Sequence, residues 1–317
     1  MKAVLLDWAT MGPDLDIGEL RALLPELELY DETEDEQIAE RIAGAEIVLG
    51  NKVLISESLF AGAPEMRFIG LTATGTDNVD LDAAKRYGVA VANIRAYCSQ
   101  SVAEHVFACV LHFAHSLGAY TKDVRAGEWQ RADIFCLLSH PITELSAMTL
   151  GIVGYGELGR AVARIAEAFN MDVIVAARPG SEEVPVGRVS MDELLERADV
   201  ISLHCPLSDA TRGLFGEAEF RAMKSSAVLV NTARGPLIDS TALACALRKR
   251  EIAAAAVDVL PTEPPVDGDP LLDYKGDNLL VTPHIAWGTL TARQNAIHEL
   301  TANIAAFLDG KSRNRVD

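Results

Sequence analysis

The sequence predicts an α/β protein built from two parallel-sheet domains with a cleft between them. Strand-like runs alternate with helical patterns along almost the whole 317-residue chain, and this alternation is typical of parallel sheets covered by helices. A second series of strands begins at a glycine-rich turn near residue 151. A chain of 317 residues is long enough for two cores of about 100–200 residues each.

The strands and helices of each series can be placed from the spacing of apolar residues. In the first third, strands are predicted near Ala3–Asp7, Leu27–Tyr30, Ile47–Leu49, Phe68–Leu71 and Val89–Ala92. Helical patterns lie between them at Ile17–Leu24, Asp35–Ile42 and Asp80–Tyr87. The strands of the second series are predicted at Gly151–Val153, Asp172–Ala176, Val200–His204, Ala227–Asn231, Ala254–Val259 and Leu279–Val281.

The segment Gly151–Gly159 contains a G-x-G-x-x-G fingerprint, formed by Gly154, Gly156 and Gly159. An apolar run predicts a buried strand before it, and residues 160–166 have helical spacing after it. A strand, a tight turn and a helix start present backbone N–H groups and the helix dipole to a pyrophosphate. This context predicts a nucleotide-binding loop rather than a glycine turn that only packs a helix closely on a strand.

Two helical patterns mark the domain boundaries. A long helix predicted over Ser99–Leu117 would carry the chain into the second domain, and a helical stretch after Trp287 would return it to the first. We therefore expect a substrate-binding domain of residues 1–98 and 289–317 and a dinucleotide-binding domain of residues 99–288. Both would be Rossmann-like, the first in its flavodoxin-like form.

Charge and cysteine content exclude several classes of protein. The formal net charge of −18 argues against nucleic acid or an anionic membrane as a partner, since both need a basic face. The five cysteines are scattered and form no C-x-x-C pair, which argues against a disulfide framework or a zinc site. No apolar run reaches about 18 residues, and the N-terminal one is too short for a signal peptide. We expect a cytoplasmic protein without a metal.

Three segments of the second domain end predicted strands, where parallel α/β folds place functional residues. They present Arg234, an acid (Asp258 or Glu263) and His284 at the sheet edge that also carries the glycine turn. A histidine can protonate a developing alkoxide near neutral pH, and arginine offers two parallel donors to a planar carboxylate. A carboxylate beside the imidazole would orient the ring and favour its protonated form. These residue types fit hydride transfer between a nicotinamide and a ketone.

The same segments closely resemble the D-isomer-specific 2-hydroxyacid dehydrogenase family over nearly the whole chain. The resemblance rests on the strings GIVGYGELGR, NTARG, DVLPTEPP and PHI. It implies that Arg234 binds the substrate carboxylate and carbonyl, and that His284 is the general acid/base. It also implies that Glu263 pairs with His284 and that Asp258 holds the nicotinamide carboxamide.

The resemblance also implies a substrate loop at Ala73–Asp80, with Ala73 in contact with the substrate and the backbone amides of Thr74 and Gly75 receiving its carboxylate. Asn51 is expected to contact the substrate as well. Besides the three glycines and Asp258, we expect the cofactor to contact Tyr155, Glu157, Leu158, Cys205, Pro206, Thr211, Thr232 and Ala233. Within the family, the chain is most like the glycerate dehydrogenases, or hydroxypyruvate reductases. This likeness rests on Asn51-Lys52, on residues 96–105 and on the tryptophan after PHIA.

One position departs from the usual NAD pattern. The second strand of the dinucleotide-binding domain should end in an acid for the ribose 2′-hydroxyl, about 20 residues beyond the glycines. The chain has Ala177, Arg178 and Pro179 there, whereas Asp172 lies too early and Glu182 too late. Loss of the acid removes repulsion toward a 2′-phosphate, and Arg178 supplies a charge-assisted partner. NADP(H) is therefore the preferred cofactor, with NAD(H) possible.

These observations predict an NADPH-preferring reductase of small 2-oxoacids such as hydroxypyruvate or glyoxylate, assembled as a homodimer like most of the family. One alternative is an NAD-dependent glycerate dehydrogenase, in which Arg178 only stacks near the adenine. Another is a dinucleotide-sensing binding protein, because the family includes transcriptional corepressors. The Arg234, Glu263 and His284 set and the acidic chain count against the latter.

Overall fold

A computed structural model describes residues 1–181 and 183–317, so Glu182 lies outside the described residues. The chain divides into two α/β units, one formed by Met1–Cys98 and Gly288–Asp317 and the other by Ser99–Trp287. Every described strand pairing in both units is parallel. The predicted fold class of two parallel-sheet α/β domains is therefore confirmed.

The first unit contains a five-stranded sheet of order β2-β1-β3-β4-β5. The strands are β1 (Ala3–Leu5), β2 (Leu27–Leu29), β3 (Ile47–Gly50), β4 (Phe68–Leu71) and β5 (Ala90–Ala92). The helices between them are α1 (Gly18–Leu23), α2 (Asp35–Ile42), α3 (Glu57–Gly62) and α4 (Leu81–Tyr87). Every residue of β1, β3, β4 and β5 is buried, as a parallel sheet covered on both faces requires.

The second unit contains a six-stranded sheet of order β11-β10-β9-β8-β6-β7. The strands are β6 (Thr149–Val153), β7 (Asp172–Val175), β8 (Val200–Leu203), β9 (Val228–Asn231), β10 (Ala254–Val257) and β11 (Leu279–Val281). The helices are α5 (Ser99–Ala114), α6 (Leu117–Arg125), α7 (Glu157–Ala168), α8 (Met191–Arg197), α9 (Glu217–Ala222), α10 (Ser240–Lys249) and α11 (Pro270–Asp273). Three-residue 3-10 turns lie at Trp129–Arg131, Leu145–Ala147 and Gly235–Leu237.

The strand order reverses direction at β6. The chain runs from β6 out to β7 at one edge and then returns to β8 on the other side of β6. The loops that leave the carboxyl ends of β6 and β8 therefore diverge and leave a crevice above the sheet, where open α/β sheets bind ligands. The glycine turn follows β6 directly.

The last helix, α12 (Leu290–Leu308), belongs to the first unit together with the strands of residues 1–98. Its Phe307 ring packs on Phe68 of β4 at a centroid distance of 4.7 Å. No helix among residues 1–181 and 183–317 is long and apolar enough to cross a membrane.

The long helix predicted over Ser99–Leu117 is wrong at its C-terminal end. The structure ends α5 at Ala114, and α6 starts a new helix after Ser116, whose φ is +50°. The Ala114 carbonyl accepts a hydrogen bond from the N–H of Thr143 at 2.8 Å, and the Ser116 hydroxyl donates to the Pro141 carbonyl at 2.7 Å. A segment distant in the sequence thus ends the helix, so the local pattern carries no sign of it.

Candidate active site

The glycine turn joins β6 to α7 in a conformation that only glycine adopts easily. Gly154 has a φ of +97°, and a Cβ there would lie 2.3 Å from the backbone nitrogen of Cys205. A Cβ at Gly159 would lie 2.2 Å from the carbonyl oxygen of Gly154. Gly154 is thus needed for its backbone conformation and for the approach of β8, and Gly159 for the packing of α7 on the turn.

The outer side of the turn is open. A Cβ at Gly156 would have no described heavy atom within 4 Å, and α7 begins at the next residue, Glu157. The first N–H groups of a helix have no intrahelical partner, so this end of α7 suits an anion. The Glu157 carboxylate accepts a hydrogen bond from the Ser99 hydroxyl, which gives the acid of the first turn a partner within the protein.

The segment after β7 carries arginines where an acid would bind a ribose. Ala177 is half-buried, its N–H donates to the Val189 carbonyl at 2.8 Å, and Arg178 is exposed. Because Val189 lies beside Ala177, the preceding Arg188 lies at the same end of β7. The Arg188 guanidinium carbon is 4.7 Å from the centroid of the Tyr155 ring, a cation–π distance that brings a second cation to the glycine turn.

His204, Cys205 and Pro206 follow β8 at the crevice. The His204 Nε2 lies 2.8 Å from the Ser202 hydroxyl, and its Nδ1 is shielded from solvent. Burial lowers the pKa of His204 to about 4 and raises the pKa of the Cys205 thiol to about 11. Both groups are therefore uncharged at neutral pH. The Thr211 hydroxyl donates to the Pro206 carbonyl at 2.8 Å and shapes the same loop.

The turn after β9 is closed by the side chain of Asn231. Its Oδ1 accepts the N–H of Ala233 at 3.0 Å, and its Nδ2 donates to the carbonyl of Arg234 at 2.9 Å. The Arg234 guanidinium also donates to the Ala233 carbonyl at 2.8 Å. Asn231 thus fixes the backbone from which Arg234 projects, at the carboxyl edge of the sheet.

Glu263 and His284 form a close pair at the same edge. The His284 Nδ1 lies 2.6 Å from one carboxylate oxygen of Glu263, and the Leu260 N–H donates to the other at 2.8 Å. Because an ionised carboxylate only accepts, Nδ1 carries a proton and Nε2 is the nitrogen that can exchange one. The two side chains are 29% and 33% exposed, and a cavity of about 450 Å³ adjoins both, so small molecules can reach them.

The predicted substrate loop follows β4 in the first unit. Within residues 1–181 and 183–317, the N–H groups of Thr74 and Gly75 donate no hydrogen bond, while the Ala73 carbonyl accepts one. Two neighbouring N–H groups are thus available to an anion such as a carboxylate. Asn51 is buried, and its side-chain amide donates to the Thr10 hydroxyl at 3.0 Å.

Residues 107–286 match the family model of the NAD-binding domain of D-isomer-specific 2-hydroxyacid dehydrogenases. The chain belongs to this family. It is 40% identical over 282 residues to glycerate dehydrogenase of Methylorubrum extorquens, with 89% of this chain and 88% of the relative covered. It is 37% identical to hydroxypyruvate reductase of Blautia hydrogenotrophica over the full length of both chains.

Solved structures of related dehydrogenases and reductases share the fold of this 2-hydroxyacid dehydrogenase. The acyclic imino acid reductase Bsp5, in complex with NADPH and D-Arg, superposes with a TM-score of 0.84 at 27% identity over 100% of both chains. D-lactate dehydrogenase of Aquifex aeolicus, complexed with NAD and lactic acid, has a TM-score of 0.82 at 28% identity, with 98% of this chain and 96% of that chain covered. One neighbour thus binds NADPH and the other NAD.

The second unit of this dehydrogenase fits a nicotinamide dinucleotide. Open space at Gly156 and the start of α7 suit the pyrophosphate, whose backbone contacts need a turn without side chains. The Thr232 hydroxyl oxygen is buried and has no hydrogen-bond partner among residues 1–181 and 183–317, so it is available to a polar group of the cofactor. A bound nicotinamide would supply or accept the hydride.

Asp258 holds the loop that carries His284. Its carboxylate accepts the Thr282 hydroxyl at 2.6 Å and the N–H groups of Ile285 and Ala286 at 2.9 Å each. Its carbonyl accepts the His284 N–H at 2.8 Å. These bonds stabilise the left-handed backbone of His284, whose φ is +54°. In this 2-hydroxyacid dehydrogenase, Asp258 therefore orients the histidine in addition to its predicted contact with the carboxamide.

Three residues of the site were missed by the sequence analysis. Thr282 could have been found, because it directly precedes the PHI string of the family. His105 was not predicted as a site residue, but its Nε2 lies 3.2 Å from the Thr282 hydroxyl and 3.8 Å from the Asp258 carboxylate. Arg188 carries no signal in the sequence, since only the pairing of Val189 with Ala177 brings it to the glycine turn.

Proposed function

We propose that the protein reduces small 2-oxoacids, such as hydroxypyruvate or glyoxylate, to D-2-hydroxyacids, with NADPH as the preferred cofactor. The observation that carries this proposal is the 2.6 Å pair of Glu263 and His284, at the sheet edge that also holds Arg234 and the glycine turn. Relatives named glycerate dehydrogenase, hydroxypyruvate reductase and glyoxylate reductase support the substrate class.

In the proposed reaction, His284 is the proton donor. Glu263 holds the ring through Nδ1, so Nε2 is the nitrogen that can give its proton to the carbonyl oxygen as negative charge develops there. In the reverse direction, the neutral Nε2 accepts the hydroxyl proton. Asp258 keeps the backbone of His284 in place, so the imidazole holds the same position in both directions of the reaction.

Arg234 and the substrate loop are the proposed binding groups. The Arg234 guanidinium would bind the substrate carboxylate through two parallel N–H donors and polarise the neighbouring carbonyl. The N–H groups of Thr74 and Gly75, which lack partners within residues 1–181 and 183–317, would receive the carboxylate oxygens. Both contacts select an acid with the carbonyl at the adjacent carbon.

The proposed preference for NADPH rests on the end of β7. Ala177 carries no negative charge there, and Arg178 is exposed. Arg188, stacked on Tyr155 at 4.7 Å, supplies a second cation at the same end of the strand. A charge-assisted contact contributes about 1.5–3 kcal/mol, which corresponds to roughly 10–150-fold in kcat/KM. Solvent screening lowers this figure, because Arg178 is exposed.

Steady-state kinetics with both cofactors test the proposal. We expect kcat/KM for NADPH to exceed that for NADH, and Ala177→Asp together with Arg178→Ala to reverse the order by restoring an acceptor for the 2′-hydroxyl. Arg197→Ala, on α8 and paired with Glu193, is the matched arginine control. A preference of the unaltered enzyme for NADH would favour the NAD-dependent glycerate dehydrogenase instead.

We also propose a homodimer in a reducing, cytoplasmic compartment. The segment after α5 exposes many large apolar side chains, namely Leu117, Trp129, Ile134, Phe135, Leu138 and Ile142. Such a patch is more typical of an interface than of a free surface. All five cysteines are free, which suits a reducing compartment. Sedimentation equilibrium should give twice the chain mass, and Phe135→Asp with Leu138→Asp should give the monomer; a monomeric unaltered protein would refute the dimer.

A further inference from the structure

Asp7 and Asn78 lie at the carboxyl edge of the sheet of the first unit, Asp7 after β1 and Asn78 within the predicted substrate loop. We infer that these two residues are positioning residues for the substrate carboxylate. They hold the Asn51 loop (residues 51–53) against the substrate loop (residues 73–80) and thereby set where the N–H groups of Thr74 and Gly75 lie. This inference rests on the proposed function, because it assumes that the substrate loop binds a 2-oxoacid.

Asp7 binds the N–H side of the Asn51 loop. It lies two residues after the end of β1, and it is only 6% exposed. Its carboxylate accepts the N–H groups of Asn51 at 2.9 Å, Lys52 at 2.6 Å and Val53 at 3.2 Å. Three successive N–H groups that converge on one carboxylate fix the backbone of the loop, because each bond is charge-assisted.

Asn78 binds the carbonyl side of the same loop. Its Nδ2 donates to the carbonyls of Val53 at 3.0 Å and Asn51 at 3.4 Å. The Asn78 carbonyl in turn accepts the N–H of Ile55 at 2.8 Å. Since Asn78 is itself part of the substrate loop, the two loops are tied together, and a shift of one displaces the other.

Asp258 of the second unit makes the same kind of contacts as Asp7 of the first unit. Asp258 follows β10 and binds successive N–H groups of the loop after the neighbouring strand β11, which carries His284. Asp7 follows β1 and binds successive N–H groups of the loop after the neighbouring strand β3. In each unit, an aspartate after one strand orients the loop that follows the neighbouring strand of the sheet. In the second unit, that loop bears His284, the predicted acid/base.

Two further hydrogen bonds hold the segment around Thr74. The Asn93 side-chain amide donates to the Thr74 carbonyl at 2.7 Å, and the Thr72 N–H donates to the Gly50 carbonyl at 2.9 Å. A displaced loop would bind the substrate carboxylate less well in the ground state and in the transition state alike. Loss of such uniform binding raises KM and leaves kcat nearly unchanged.

Asp7→Asn and Asn78→Ala test the inference. The first replaces an acceptor by an amide NH2 that faces N–H groups, and the second removes the donor to two carbonyls without adding charge. Asp7→Asn should raise KM for glyoxylate or hydroxypyruvate by roughly 10–100-fold, the size expected for lost charge-assisted hydrogen bonds, and Asn78→Ala by roughly 5–10-fold, because its hydrogen bonds are neutral. The kcat should change by less than about threefold and the Kd of the cofactor should stay constant, because His284 and the glycine turn are untouched.

Hydrogen exchange supplies a readout that does not depend on turnover. Peptides covering residues 51–53 and 73–80 should both exchange faster in either variant, since the two loops are tied. Glu46→Gln is the matched control, because Glu46 precedes β3 at the opposite end of the strand and pairs with Arg67 at 3.6 Å. It should leave KM and both peptides unchanged.

The outcomes separate the two proposals. If the unaltered enzyme reduces 2-oxoacids but Asn78→Ala leaves KM within about twofold, the positioning role is refuted and the proposed function stands. If the unaltered enzyme reduces no 2-oxoacid, the proposed function fails, and faster exchange of both loops then supports only their structural coupling. Should Asp7→Asn fail to fold, Asn78→Ala decides alone.

Discussion

The first two glycines of the phosphate turn, Gly154 and Gly156, should fail in different ways when each is replaced by alanine. At Gly154 the new Cβ would lie 2.3 Å from the Cys205 backbone nitrogen, about 1 Å inside ordinary contact, at a φ of +97°. The left-handed backbone costs about 1–2 kcal/mol and the forced overlap about 1–3 kcal/mol. Gly154→Ala should therefore destabilise the apo protein by about 2–5 kcal/mol, or roughly 4–20 °C in melting temperature.

Gly156→Ala should leave the apo protein intact and weaken cofactor binding. Gly156 has φ −74° and ψ −154°, which alanine adopts, and its Cβ would meet nothing within 4 Å. The stability should therefore change by no more than about 0.5 kcal/mol. The same Cβ would enter the space where a pyrophosphate approaches the backbone, so the Kd of the cofactor should rise at least tenfold, or about 1.4 kcal/mol.

Calorimetric melting of the apo variants and fluorescence titration with NADPH distinguish the two effects. The reasoning is refuted if Gly156→Ala binds the cofactor as tightly as the unaltered protein. It is also refuted if Gly154→Ala melts at the unaltered temperature, since the clash with Cys205 would then be absorbed without cost.

Three further predictions follow from the site. Arg234→Lys keeps the charge but loses the parallel donors, so kcat/KM for glyoxylate should fall at least tenfold; equal kinetics would show that Arg234 does not bind the carboxylate. Glu263→Gln removes the carboxylate that holds the His284 ring through Nδ1 at 2.6 Å, so kcat should fall roughly 10–100-fold while the Kd of the cofactor stays the same, and an unchanged kcat would argue against the pair. Burial lowers the pKa of His204 from its usual 6.5 to about 4. Its contribution to the free energy of unfolding is therefore fully present above pH 6.5 and is lost as the pH falls toward 4, because the unfolded state takes up a proton that the buried imidazole does not. In urea unfolding, His204→Gln should lose less stability between pH 7 and pH 5 than the unaltered protein, whereas parallel curves would contradict this.

Most of the fold could be predicted because parallel α/β units leave strong local signals. Buried strands form short apolar runs, and β4 was predicted at its observed bounds, Phe68–Leu71. The helix Asp35–Ile42 and the half-buried strand Leu279–Val281 were also predicted at their observed bounds. The end of α5 could not be predicted, because the groups that stop it come from Pro141 and Thr143, far along the chain. Strand order likewise depends on tertiary packing, which no local pattern shows.

The candidate site was predictable only where family strings or chemical type mark it. Arg234, Glu263 and His284 could be found because each follows a predicted strand and lies in a recognisable string. Arg188 and Asp7 could not be found in this way, since their roles depend on which strands are neighbours. A residue that acts by binding backbone N–H groups of another loop leaves no spacing pattern in the sequence.

The most direct test of the central claim follows absorbance at 340 nm while NADPH reduces hydroxypyruvate or glyoxylate. The unaltered protein should turn over at least one of them, and His284→Asn should lower kcat by roughly 10²–10⁴-fold with cofactor binding preserved. Asparagine is chosen because it tolerates the left-handed backbone of residue 284, whose φ is +54°. No oxidation of NADPH or NADH with either 2-oxoacid, or equal turnover by His284→Asn, would contradict the assignment of His284 as the proton donor of a 2-oxoacid reductase.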